Sequence, residues 1–103
     1  MQDLTQTQWR EHLNDDSNAV IIDVRTEIEI EEGQIPNAIN IDINNPAEFM
    51  NRANALDNSK NYYIYCRSGG RSTQACMILS SLGCNNTFNL LGGFSEWEGE
   101  VTY

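Results

Sequence analysis

Basic residues are scarce in this sequence. Among its 103 residues, six Lys and Arg stand against 15 Asp and Glu, which gives a formal net charge of -9 at pH 7. A nucleic acid or an anionic membrane surface binds through a basic face, so neither is expected as a general partner. The acidity serves solubility and carries no information about the fold.

Metal-binding side chains are also few. The sequence has one His, His12, and three Cys, at positions 66, 76 and 84, with no Cys-x-x-Cys pair among them. Structural zinc sites usually take four Cys or His ligands in paired spacing, so we expect no metal and no organic cofactor. An odd number of Cys is typical of free thiols in a reducing compartment, which favours a cytoplasmic protein.

Long apolar runs are absent. The longest, residues 62–66, has five residues, whereas a membrane-spanning helix needs roughly 20. The first eight residues contain no Lys or Arg and no apolar stretch, so we expect no cleavable secretory signal. At 40% hydrophobic and 20% charged residues, the composition is that of a folded chain, and its length predicts one small domain over residues 1–103.

Short strands alternate with short helices along the chain. Runs of β-branched and aromatic residues predict strands at 19–24, 38–43, 62–66 and 86–91. Helices are predicted after Thr5 or Thr7, over the acidic run 26–32, from Pro46 to about Leu56, and over 72–82, with a final helical turn at 94–98. This alternation predicts an α/β fold with a mostly parallel sheet and helices on both faces.

The segment CRSGGRS, residues 66–72, joins the 62–66 strand to the following helix. Ligands of parallel sheets bind beyond the carboxyl ends of the strands, where Cys66 stands. The two glycines allow a tight curl in which successive amide N–H groups point inward, and the helix adds unpaired N–H donors. Such a ring would lower the pKa of Cys66 and give a thiolate nucleophile at neutral pH.

The same loop contains two cations and no base. Arg67 and Arg71 would add fixed positive charge for an anionic donor. With no His or carboxylate in the loop, the pattern favours chemistry that starts from an ionised thiol. Sulfur transfer meets this condition. The Cys66 thiolate would attack a sulfane sulfur and become a persulfide, which then passes its outer sulfur to cyanide or a thiol.

Four segments together resemble the single-domain rhodanese family of sulfurtransferases over roughly residues 4–99. They are Asp23-Val24-Arg25 followed by Glu29; GQIPNAIN at 33–40, with Gln34 for the usual His and Asn37 for the usual Gly; the loop at 66–71; and LLGGF at 90–94 with Trp97. The resemblance implies the rhodanese fold, with five parallel strands between helices, and a persulfide on Cys66. It also implies that the donor binds at the remaining loop residues, Arg67, Ser68, Gly69, Gly70, Arg71 and Ser72.

Two other functions stay open at this point. Cysteine-dependent phosphatases and arsenate reductases have a loop one residue longer between Cys and Arg, which suits a tetrahedral oxyanion better than one sulfur atom. A rhodanese-like binding or regulatory module without activity is the second alternative. The expected partners are a small anionic sulfur donor and a cyanide, thiol or protein acceptor.

Outside the loop, structural roles are favoured. We expect Asp23 and Arg25 to form an ion pair, and the acidic run 27–32 to be a solvated face, with contact to a basic protein as the alternative. Cys76 and Cys84 are expected to be structural thiols, and a disulfide of either with Cys66 is the alternative.

Overall fold

A computed structural model describes residues 1–103 and contains a five-stranded sheet with four helices. The strands are β1 (Gln2–Leu4), β2 (Ala19–Asp23), β3 (Ile39–Asn40), β4 (Asn61–Tyr65) and β5 (Asn86–Leu90), and the helices are α1 (Gln6–Asn14), α2 (Glu27–Ile30), α3 (Pro46–Asn54) and α4 (Gly70–Ser81). A 3₁₀ turn follows at Phe94–Glu96. No helix combines the length and apolar character that a membrane span requires.

The sheet order is β1-β5-β4-β2-β3, and every neighbouring pair is parallel. The α/β prediction with a mostly parallel sheet is therefore confirmed. The carboxyl ends of β2, β4 and β5 lie at one end of the sheet, and the segments that follow these strands meet there. The candidate site lies at this carboxyl end of the sheet.

Alternate residues of the central strands pack into two separate cores. On one face, Ile22 of β2 and Ile64 of β4 pack in a cluster with Phe49 of α3 and Leu79 of α4. On the other face, Tyr63 packs with α1 and the end of the chain in a second cluster. Helices on both faces, as predicted, explain why β2 and β4 are continuous apolar runs and do not alternate.

Two short helices begin with reciprocal caps. In α1, the cap is Thr5: its hydroxyl accepts from the Gln8 amide at 3.3 Å, and its own amide donates to the Gln8 side chain at 3.1 Å. In α2, Thr26 and Glu29 form the same arrangement. These capping boxes fix where each helix begins, and the second one also orients Glu29.

Three differences from the predictions stand out, and the other helix and strand ends lie within about two residues of the predicted ones. The sequence pattern gave no strand before α1, yet β1 pairs with β5 from Gln2 to Leu4. The strand predicted at 38–43 is reduced to β3, two residues at the sheet edge. Helix α4 begins at Gly70 and not at Ser72, because Gly69 takes a left-handed conformation (φ 110°) from which the helix starts at once.

Candidate active site

Cys66 is the first residue after β4, at the carboxyl edge of the sheet. The Tyr65 carbonyl accepts from the Val24 amide at 3.1 Å, so the chain stays paired with its neighbour up to the cysteine. Cys66 is 1% exposed and lies under the loop that it begins. We call residues 66–71 the cysteine loop.

The cysteine loop turns the Gly69 amide onto the sulfur, as part of the ring of amides that the sequence predicts. The Gly69 amide nitrogen lies 3.0 Å from Sγ of Cys66. Its positive φ, together with the start of α4 immediately after it, brings that amide back over the thiol. At Gly70 an added Cβ would meet no atom within 4 Å, so this second glycine is not required for space.

The Ser72 hydroxyl is the second donor near the sulfur, and several acceptors compete for its one hydrogen. Its Oγ lies 3.4 Å from Sγ of Cys66, 3.1 Å from the Gly69 carbonyl and 2.5 Å from Oδ1 of Asn89. Asn89 is itself held by donation from Nδ2 to Asp3 at 2.9 Å and to Thr73 at 3.1 Å. Asp3 on β1 and Asn89 on β5 thus position a hydroxyl that contacts the cysteine.

These contacts favour the charged form of the thiol. Burial disfavours the Cys66 thiolate, but hydrogen bonds from the Ser72 hydroxyl and from the amides of Ser72, Gly69 and Ser68 outweigh it and lower the pKa of Cys66. The pKa values of the other two thiols shift in the opposite direction. Burial raises the pKa of Cys76 to about 12, and burial also raises the pKa of Cys84.

The end of the chain supports the cysteine loop from outside. The amides of Phe94 and Ser95 donate to the carbonyls of Cys66 and Arg67, each at 2.9 Å. This contact needs a residue without a side chain at position 93, because a Cβ on Gly93 would lie 2.5 Å from the Arg67 carbonyl oxygen. The GGF sequence therefore fixes the loop backbone that carries the amides.

Both loop arginines are engaged with carboxylates of the acidic run. Nη1 and Nη2 of Arg71 donate to Oε1 and Oε2 of Glu29 at 2.6 and 2.8 Å. At the surface, Nη1 of Arg67 lies 3.7 Å from Oε2 of Glu32. The interpretation of residues 27–32 as a purely solvated face was therefore wrong for Glu29, because the fold brings α2 against the start of α4.

A buried ion pair holds α2 in that place. Arg25 donates to Asp23 from Nε and Nη2, and both side chains are at most 1% exposed, which confirms the expected pair. The Arg25 guanidinium also donates to the backbone carbonyls of Glu29 and Gly33 at 3.3 and 2.7 Å. The pair therefore connects β2 to α2, at Glu29, and to the turn that follows α2, at Gly33.

Sequence reasoning missed Asp3, Asn89 and the partnership of Glu29. Asp3 and Asn89 reach the site only because β1 and β5 are paired, with Asp3 opposite Asn89. The position of Asn89 between Phe88 and Leu90 in the predicted 86–91 strand was the one available signal. Cys76 and Cys84 are free, buried thiols in the same apolar cluster as Cys66.

Comparison with known proteins decides the family. The model of the family described as Rhodanese-like domain matches residues 5–100. The chain belongs to the rhodanese-like domain family. In Bacillus subtilis, the protein YtwF, named provisionally as a sulfurtransferase, is 36% identical over 98% of this rhodanese-like domain and 94% of its own length. A sulfurtransferase of Allochromatium vinosum is 35% identical over 84% of this chain and 78% of its own.

Structural similarity gives the same family. The crystal structure of a rhodanese-like domain protein from Staphylococcus aureus superimposes with a TM-score of 0.83 at 29% identity, over 99% of this chain and 97% of that one. Longer relatives include a tRNA uridine(34) hydroxylase of Wolbachia, 32% identical over 81% of this chain but only 36% of that protein. This rhodanese-like domain is thus related both to proteins named sulfurtransferases and to longer tRNA uridine(34) hydroxylases.

Proposed function

We propose that this rhodanese-like domain is a sulfurtransferase in which Cys66 carries the transferred sulfur. The observation that supports this most directly is the approach of the Gly69 amide to Sγ of Cys66 at 3.0 Å, within a loop whose hydrogen bonds lower the pKa of the thiol. A lowered pKa increases the thiolate fraction of Cys66 and reduces the need for a neighbouring general base.

The first half-reaction loads the enzyme. With thiosulfate as donor, the Cys66 thiolate attacks the terminal sulfur, the S–S bond of the donor breaks, and sulfite leaves with the bonding electron pair. The product is a Cys66 persulfide anion. The loop amides and the Ser72 hydroxyl then stabilise the negative terminal sulfur as an oxyanion hole stabilises oxygen.

The second half-reaction removes the transferred sulfur from Cys66. Cyanide attacks the terminal sulfur, thiocyanate leaves, and the Cys66 thiolate is regenerated; a thiol or a protein cysteine would accept the sulfur in the same way. The electrons of the broken S–S bond return to Cys66, so neither step needs a metal or a redox cofactor.

The burial of Cys66 favours sulfur over phosphate. Because Cys66 is 1% exposed, a donor reaches it most readily through a terminal atom with one substituent. The phosphorus of a phosphate ester carries four substituents and needs a wider cradle. A binding module without activity is therefore the second candidate function, and phosphatase or arsenate reductase activity is the third.

Thiocyanate formation and aryl phosphate hydrolysis, measured on the same preparation, separate these functions. We expect thiocyanate formation in the wild type, its loss by Cys66→Ser, and its retention by Cys84→Ser, a control that changes a buried thiol outside the loop. Faster aryl phosphate hydrolysis than thiocyanate formation would instead support the phosphatase. Absence of both would support a binding module.

A further inference from the structure

Each cation of the cysteine loop has its own carboxylate partner. The Arg71–Glu29 pair is bidentate, with distances of 2.6 and 2.8 Å, and its side chains are 27% and 18% exposed. The Arg67–Glu32 pair is looser, at 3.7 Å, and both side chains are 58% exposed. An anion that approaches Cys66 therefore meets no unbalanced arginine.

Glu29 is fixed in position by more than Arg71. Its Oε1 accepts from the amide and the hydroxyl of Thr26, each at 3.2 Å, and its backbone carbonyl accepts from Arg25. Moving the carboxylate aside would break the cap of α2 as well as the ion pair. The bond from Arg71 lowers the pKa of Glu29 to about 2, so this group is charged at any working pH.

The charges around the thiol sum to a negative value. Two arginines and two glutamates cancel, and the thiolate itself adds one negative charge. The pKa of Arg71 is raised mainly by the hydrogen bonds that it donates to Glu29, and Asp42 lies near enough to contribute to the same shift. A doubly charged donor gains nothing from this field, and the overall charge of -9 opposes its approach.

We propose that Glu29 is a specificity-determining residue that disfavours dianionic donors. The preferred substrate is a sulfane-sulfur donor with at most one negative charge. This inference rests on the proposed function and adds the charge class of the donor to it. With methanethiosulfonate as such a donor, the Cys66 thiolate takes the terminal sulfur, the S–S bond breaks, and methanesulfinate leaves with the electron pair.

The test compares two donors on Glu29→Gln. Gln at this position retains the side-chain oxygen of the capping box and nearly the same volume, while it removes the charge that opposes Arg71. Thiosulfate carries two negative charges and methanethiosulfonate one. We expect the ratio of kcat/KM for thiosulfate to that for methanethiosulfonate to rise roughly five- to tenfold, the effect of one unit charge a few ångströms away.

Two further variants serve as controls. Glu31→Gln removes an exposed charge from the same turn, where the side chain makes no hydrogen bond, and should change the ratio less than roughly twofold. Glu32→Gln releases the exposed Arg67 and should shift the ratio in the same direction but less than Glu29→Gln.

The outcomes separate the two proposals. If the wild type transfers sulfur from both donors and the ratio is unchanged in Glu29→Gln, or changes equally in Glu31→Gln, the role of Glu29 is wrong and the sulfurtransferase proposal stands. If neither donor loads Cys66 of the folded wild type, the sulfurtransferase proposal fails and the inference fails with it.

Discussion

Asp23 and Arg25 form an ion pair, 2.8 Å between Oδ2 and Nη2, in which neither side chain is more than 1% exposed. The Arg25 guanidinium also lies 4.3 Å from the centre of the Phe94 ring, beside the segment that supports the cysteine loop. One buried cation thus joins β2, the turn after α2 and the end of the chain. The pair is therefore structural, and it holds in place the segments that surround the cysteine loop.

Breaking the Asp23–Arg25 ion pair should destabilise the folded protein. Asp23→Asn leaves the Arg25 charge buried without an anion, and we expect the free energy of unfolding to fall by about 3 kcal/mol in urea titrations. Asp15→Asn is the control, because the Asp15 carboxylate is exposed and makes no hydrogen bond; it should change stability by less than ~0.5 kcal/mol. Equal losses in the two variants would contradict this account of Arg25.

Removing the Ser72 hydroxyl should raise the pKa of Cys66. Ser72→Ala deletes a hydrogen bond that lowers this pKa, so the thiolate fraction near neutral pH falls and sulfur loading slows several-fold. Thiolate absorbance as a function of pH measures the shift. The Cys76 and Cys84 signals lie at higher pH, because burial raises both of their pKa values. Ser80→Ala, whose hydroxyl meets only Thr87, is the control; an unchanged Cys66 pKa in Ser72→Ala would contradict the prediction.

The Glu29–Arg71 pair should make stability depend on pH in the acid range. The Glu29 pKa is lowered from 4.5 to about 2, so the pair contributes fully above the unfolded-state value and is lost as pH falls through about 2. Glu29→Gln should cost about 1 kcal/mol at pH 7, a value kept small by solvent screening at this partly exposed site. The difference from the wild type should shrink steadily below pH 4.5, and a constant difference down to pH 2 would contradict this.

Added salt should raise kcat/KM for sulfur transfer from thiosulfate. A chain with a charge of -9 repels a dianion, and added sodium chloride shortens the Debye length to about 10 Å at 0.1 M. We expect kcat/KM for thiosulfate to rise about twofold between low and moderate ionic strength, with a smaller change for methanethiosulfonate. A steep fall with salt would indicate that the loop arginines attract the donor despite their carboxylate partners.

Elements with strong local patterns were predictable from the sequence. The strand predicted at 19–24 is β2, and the strand predicted at 62–66 is β4, each within one residue, because a strand buried on both faces is a continuous apolar run. β1 was missed because Gln2–Leu4 buries only its last residue and is a strand solely through its pairing with β5. Its existence depends on a partner more than 80 residues away.

In the candidate site, too, a local sequence pattern predicts some groups, and contacts between distant residues bring in the others. The inward amides of the cysteine loop follow from a local sequence, Gly69 before a helix, and they could be predicted. Glu29 lies 42 residues from Arg71, and Asn89 lies 17 residues from Ser72, so only the folded chain brings these groups together. A carboxylate on a short helix such as α2 gives no local sign that it faces an arginine and not solvent.

Intact mass spectrometry after exposure to a sulfane-sulfur donor tests the central claim most directly. The wild type, treated with methanethiosulfonate or concentrated thiosulfate, should gain the mass of one sulfur atom and lose it again on addition of cyanide. Cys66→Ser should gain nothing, and Cys84→Ser should behave as the wild type. A sulfur adduct that persists in Cys66→Ser, or a folded wild type that gains none from either donor, would contradict the role of Cys66.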